Sequence, residues 1–237
     1  MPRSVVHHRG PRCDHCRLPP RWCVCAGLQT IDCAPRVDVL IHRCEVWRPT
    51  STGHLINRVI PASGHHVFRR HPPLDRDAIV QPGRTLWILH PSGEPLPPAA
   101  VAAPETIQIL LLDGTWRQAG DMMRAVSSWG RKVSLPMAGT SRYWLRAQQD
   151  GGRFSTAEAL LFLFAALGLH GAHEQLRLQF ELHVYAGLCA RGKAAEAARF
   201  LDDSPLRQAM PEVLSQLPHP SPGGTTNGTS YRPILPH

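Results

Sequence analysis

At 237 residues the chain is long enough to bury one sizeable core, and it reads as a single domain with appendages. No apolar run approaches the ~18 residues of a membrane helix, and the opening MPRSVVHHRG lacks the apolar centre of a secretion signal, so a cytoplasmic protein is expected. The net charge of +8 is unevenly spread: residues 1–58 carry nine Arg against four acids, residues 59–149 carry ten Arg or Lys against six, and the remainder is −1. A basic front half suits a polyanion such as RNA. Arg outnumbers Lys 24 to 2, however, a bias that genome base composition alone can produce.

Residues 1–12 are basic and rich in His without periodicity, the composition of a disordered arm. Residues 13–33 open with CDHCRLPPRWCVC, in which Cys13, Cys16, Cys23 and Cys25 are spaced C-x2-C-x6-C-x-C. Four thiolates so close together can surround one zinc ion, with Pro19-Pro20 turning the chain between the pairs; a site filled by four sulfurs is closed and structural. Two disulfides are the alternative, disfavoured in a reducing compartment and by the geometry of a C-x-C pair. His15 can replace one ligand but is read as facing solvent, and Cys33, Cys44 and Cys189 as small buried residues.

The main domain, 34–205, begins with RVDVLIH (36–42), a strand. Ser51-Thr52-Gly53 starts a helix whose N-terminus can bind a phosphate or carboxylate, or be an ordinary cap. HHVFRR (65–70) reads as a short strand and a basic loop, and TLWILH (85–90) as a firm strand followed by Pro91-Ser92-Gly93. A Pro- and Ala-rich loop over 94–104 leads into IQILLLDGTW (107–116). Residues 107–112 are apolar except for Gln108, which suits a strand buried on both faces of a parallel sheet. Asp113-Gly114 stops that strand, and Thr115 can cap a helix to Val126 with Ala119, Met122, Met123 and Val126 at helical spacing. An acid at the carboxyl end of a central strand, beside a helix N-terminus, sits where open α/β sheets bind ligands; alternatively Asp113 only shapes the turn.

A strand is expected over 132–135, then a loop carrying SRYWLR (141–146), where arginines and aromatics together suit a nucleoside-bearing ligand. Ser155 and Glu158 form a capping box for a helix over 156–169, and Glu158 is read as a cap before a chemical group. Helices over 171–191 and 194–201 follow, with His183 a core residue, and 218–237 reads as a disordered tail.

Asp113, Thr115 and Trp116 match a D-x-T-W signature, and the LLDGTW-x-x-A, SRYWLR and STAEAL blocks together, with the N-terminal cysteines, resemble the DTW-domain family from about Cys13 to Lys193. Two departures stand out: the family's His-Pro-x-Glu-like turn reads His42-Arg43-Cys44-Glu45, and its arginine after Gly53 is His54. The resemblance implies a SPOUT-like α/β fold, a mainly parallel sheet flanked by helices with a possible knot. It implies transfer of a 3-amino-3-carboxypropyl group from S-adenosyl-L-methionine to N3 of a tRNA uridine, where Asp113, Thr115 and Trp116 would be catalytic. Pro91, Ser92, Gly93, Leu112, Gly114, Ser141, Arg142, Tyr143, Leu145 and Arg146 would bind the cofactor; Arg43, Arg48, Arg58, Arg69 and Arg70 would meet tRNA. The runners-up are a SPOUT-type RNA methyltransferase and a non-enzymatic zinc-containing RNA-binding adaptor.

Overall fold

The computed structural model describes residues 10–97, 103–146 and 153–218. Most of the basic N-terminal arm, the middle of the Pro/Ala-rich loop and the tail from 219 onward lie outside the described residues. Five strands form one sheet, all parallel, in the order β2-β1-β4-β3-β5: β1 Arg36–His42, β2 Gly64–Phe68, β3 Thr85–Pro95, β4 Ile107–Asp113 and β5 Arg131–Ser134. β4, the apolar run noted above, lies centrally between β1 and β3, pairing Leu110 with Asp38 and Ile88. The fold is therefore α/β, with the parallel sheet covered on both faces.

Alternation along the strands divides the core in two. Leu40, Leu86, Ile88 and Leu110 face Met122, Met123 and Val126 of α2, Trp116–Val126. Val37, Val39, Ile41, Ile109 and Leu111 face the larger cluster, built with α1 (Thr52–Val59), α3 (Thr156–Ala166), α4 (His170–Ala190) and α5 (Ala194–Asp202). Two short helices beyond the expected end of the domain, α6 (Leu206–Ala209) and α7 (Pro211–Gln216), bring Leu206, Met210 and Leu217 into that same core. Cys16, Leu18, Trp22, Val24 and Ile31 of the cysteine segment belong to the larger cluster as well.

At the amino end of the sheet Asp38 is buried and takes hydrogen bonds from Arg36 (3.1 Å at Nε and at Nη2) and Gln108 (2.8 Å), with His66 Nε2 at 3.0 Å. Burial raises its pKa, but the contacts with His66, Arg36 and Gln108 outweigh it and hold the carboxyl below the usual range. The one polar residue of the β4 run is thus half of a satisfied polar cluster.

Three expectations need correction. β3 does not end at His90: it continues to Pro95 with a bulge, both Leu89 and Glu94 pairing with Val133. Gly93 passes so close to β5 that a Cβ there would lie 2.5 Å from the Val133 carbonyl carbon, which is why a glycine occupies the bulge. Cys44 is exposed and Cys33 only half-buried, leaving Cys189 as the buried one of the three. α3 closes at Ala166, where Leu167 and the left-handed Gly168 (φ 69°) turn the chain.

Candidate active site and metal centre

The carboxyl ends of β1, β4 and β3 open into a cavity of about 550 Å³, a size typical of small-molecule sites. Its floor comes from Leu111–Trp116 at the end of β4 and start of α2, with Leu89 to Pro91 beside it. The β1–α1 loop supplies Glu45, Arg48 and Thr50 to Thr52; the opposite wall holds Tyr143, Leu145 and Arg146, then Phe154 to Thr156.

Asp113 organises this region. By strand alternation it shares the face of Ile109 and Leu111, and it is buried at 6% exposure. Ser51 Oγ donates to its Oδ2 at 2.6 Å and Thr156 Oγ1 to its Oδ1 at 2.6 Å. Ser51 is the N-cap of α1, accepting the His54 amide at 3.3 Å, and Thr156 is the first residue of α3. Two helix N-termini therefore converge on one carboxylate, an arrangement favourable to negative charge. The Ala157 amide donates to Thr52 Oγ1 (3.3 Å), closing the junction. The carboxylate held by the Ser51 helix start is thus the protein's own.

Behind the cavity, SRYWLR is fixed from three sides. Glu158 completes the Ser155 capping box and also accepts from Ser141 Oγ (2.9 Å) and the Arg142 amide (2.7 Å), so it joins helix to loop as well as capping. Buried Tyr143 donates its hydroxyl to the Thr50 carbonyl, and burial pushes its pKa up to about 12. Arg142 forms a two-pronged pair with buried Glu181 (2.9 and 2.7 Å), donates to the Phe200 carbonyl and lies 4.1 Å from the Phe200 ring centroid. Its guanidinium is thereby committed to α4 and α5, and Arg142 does not line the cavity.

Of the candidate residues, Asp113, Thr115, Trp116, Pro91, Leu112, Gly114, Tyr143, Leu145 and Arg146 line the cavity. Ser92 and Gly93 lie within the β3 bulge and do not line the cavity, and Ser141 is turned to Glu158. Thr115 is engaged as the cap of α2, its Oγ1 taking the Gln118 amide and its own amide donating to Gln118 Oε1 at 2.6 Å. Trp116 is 52% exposed at the rim. Among the arginines assigned to RNA, Arg48 reaches the cavity, Arg43 is exposed, and Arg69 and Arg70 line a second groove at the end of β2. The guanidinium of Arg58 turns to the Cys16 carbonyl (2.9 Å) and His183 Nδ1 (3.4 Å).

The sequence reading passed over Glu45 and Thr156 as site residues, and Trp47 altogether. The signal for Glu45 was its place just past the end of β1, the strand beside β4. Thr156 carried only the ordinary marks of a helix start. Trp47, 81% exposed on the same loop, lies 5.7 Å from the Arg17 guanidinium.

The four Sγ atoms of Cys13, Cys16, Cys23 and Cys25 all lie within 4.8 Å of one another, with Cys13···Cys25 at 3.6 Å and Cys16···Cys23 at 3.7 Å. A tetrahedron with Zn–S bonds of about 2.3 Å has edges near 3.8 Å, whereas a disulfide needs about 2.05 Å. The cluster fits one metal ion, consistent with structural zinc. His15 is exposed, with Nδ1 3.6 Å from Cys25 Sγ.

A DTW-domain profile matches residues 10–187, three quarters of the chain. The chain belongs to the DTW-domain family. Membership brings a general role in tRNA modification, and the matched span covers both the cysteine cluster and every wall of the cavity except Arg191. No solved structure matches the chain. Among the described residues of this DTW protein no helix is long and apolar enough to cross a membrane.

Proposed function

We propose that the protein transfers the 3-amino-3-carboxypropyl group of S-adenosyl-L-methionine to N3 of a uridine in tRNA, releasing 5'-methylthioadenosine, in the cytoplasm where its substrate resides. One observation carries the reading: three blocks far apart in sequence, at 112–116, 143–146 and 155–159, meet around a single cavity. That cavity suits the donor's mixed chemistry. Apolar Leu89, Val133, Leu135 and Phe154 offer a surface for a nucleoside, and Arg146, Arg153 and Arg191 offer positive charge to a carboxylate. Asp113 sets negative charge against a sulfonium and an ammonium.

In this reading Asp113 orients the reacting groups by fixing the starts of α1 and α3. Thr115 and Trp116 form the lip over which a uridine enters, with Trp116 as a stacking face. Exposed Arg43, Arg48, Arg69 and Arg70 follow the tRNA backbone along the carboxyl edge of the sheet. Only the attacked carbon separates this reaction from methylation, and in-line presentation of the γ-carbon to N3 decides it.

Incubation with bulk tRNA and labelled S-adenosyl-L-methionine, followed by nucleoside mass spectrometry, tests the reading. An aminocarboxypropyl uridine with methylthioadenosine as co-product is expected. S-adenosylhomocysteine with a methylated nucleoside would instead identify a methyltransferase. RNA binding without consumption of the donor would identify an adaptor.

A further inference from the structure

We infer that Glu45 is the residue that accepts the proton from the nucleophile in the cavity, with Asp113 as its positioning partner; the inference rests on the transfer reaction proposed above. Glu45 sits in consecutive turns after β1, its amide donating to the His42 carbonyl (2.7 Å) and its carbonyl accepting the Arg48 amide (2.9 Å). The loop thus holds the side chain firmly against the cavity that it lines. The carboxylate is more than nine-tenths buried; its Oε2 pairs with Arg48 Nε at 3.1 Å, while Oε1 makes no well-formed hydrogen bond. A buried carboxylate oxygen without a donor costs folding free energy, of order 1–3 kcal/mol or more for a charged group. At the wall of a cavity such an orphan acceptor is relieved by a ligand that brings an N–H.

The two acids of the cavity are thereby distinguished. Both oxygens of Asp113 already accept hydroxyl protons from helix starts, and moving them would undo the junction of α1 and α3. Glu45 has one oxygen anchored by Arg48 and the other buried without a well-formed hydrogen bond. The charged groups around it are Arg48 on its own loop and Asp113 on β4, with Arg146, Arg153 and Arg191 on the far walls. Burial pushes the Glu45 carboxyl above the usual range, and Asp113 adds to this, while Arg48 and Gln118 pull the other way. Both burial and the neighbouring charge of Asp113 make the group a better base than a solvated glutamate.

The chemistry balances. Glu45 Oε1 takes the proton of uridine N3–H as the N3 lone pair forms a bond to the methionine γ-carbon. The γ-carbon–sulfur bond breaks, and its electron pair returns to sulfur, turning the sulfonium into the neutral thioether of methylthioadenosine. The proton on Glu45 then passes to solvent, so that one positive charge enters as sulfonium and leaves as a proton.

Single-turnover rates of wild type, Glu45→Gln and Glu45→Asp, on tRNA containing uridine and on tRNA containing 5-fluorouridine, test the inference. The N3–H of 5-fluorouridine is more acidic and needs less help to leave. Glu45→Gln is expected to lose about 10²–10⁴-fold on ordinary tRNA, to bind S-adenosyl-L-methionine within about twofold of wild type in calorimetry, and to recover most of its loss on the fluorinated substrate. Glu45→Asp, keeping a carboxylate, should fall between, and melting temperatures check that both variants fold. A wild-type rate in Glu45→Gln, an equal defect on both substrates, or a defect that resides in donor affinity would overturn the role of Glu45. Wild type inactive on both substrates would overturn the transfer reading and this inference with it.

Discussion

Gly53 lies so close to the Asp113 carboxylate that a Cβ on it would sit 2.8 Å from Asp113 Cγ and 2.9 Å from Oδ2. A flexible side chain would swing away from such a methyl, but this carboxylate is pinned at both oxygens by Ser51 and Thr156. Gly53→Ala must therefore either displace Asp113 and break one hydroxyl contact or push the first turn of α1 outward. Overpacking of this kind costs about 1–3 kcal/mol, and the catalytic consequence should be the larger one, because the shift falls on the cavity floor. The variant should fold, with a lowered melting temperature, and lose most of its transfer rate. Stability and rate both equal to wild type would mean that the carboxylate has freedom the geometry denies it. The same residue shows the limit of sequence reading: Asp113 is legible from its place after an apolar strand, but its partners Ser51 and Thr156 lie 62 and 43 positions away. Only the folded chain shows that they share one anion.

Among the elements, the cysteine turn acts on the cavity through one arginine. Arg17, just after the Cys13–Cys16 pair, holds a left-handed backbone (φ 62°), unusual for a side chain of its size. That conformation sends its guanidinium to the Val46 carbonyl and to within 3.5 Å of His54 Nε2, so the metal turn anchors the loop that carries Glu45 and Trp47. Each chain is expected to carry one zinc by native mass spectrometry. Chelation, or Cys16→Ser, should lower the melting temperature, since Cys16 is fully buried in the main core. It should also raise amide exchange over residues 43–50; exchange there unaltered by zinc loss would break the link. Local patterns made much of this layer readable: the cysteine spacing, the apolar run of β4, and the Ser155 and Thr115 caps are short-range signals. The β3 bulge was not, because it exists only where β5 lies alongside. The pairing of Arg142 was hidden for a related reason, since its partner Glu181 stands 39 residues on and no local pattern separates an arginine for a ligand from one for a buried glutamate.

Across the whole molecule, α1, α4 and the cysteine turn meet at Arg58 and His183. His183 is buried mid-way along α4; its Nδ1 faces Arg58 Nη2 at 3.4 Å, and its Nε2 has no partner. Arg58 can only donate, so Nδ1 accepts and the ring is neutral with its proton on Nε2. Burial, with the guanidiniums of Arg58 and Arg191 beside it, pulls the imidazole pKa down to about 3 from 6.5. A depressed folded-state value means that the unfolded chain binds a proton the native state refuses. The contribution of His183 to stability is therefore complete above about pH 6.5 and is lost progressively as pH falls from there toward 3. Glu45 runs the other way: its raised carboxyl supports the native state below the ordinary value of 4.5, and that support is lost as pH rises through the raised value. Urea midpoints measured at pH 8, 6.5 and 5 should thus fall mainly over the last interval. His183→Gln keeps an acceptor for Arg58 and removes the titrating ring, so its midpoint should fall less steeply between pH 6.5 and 5. Some slope will remain, because burial also holds His54 and His65 below the usual imidazole value. Parallel pH slopes for variant and wild type would show that acid sensitivity originates elsewhere than at this junction.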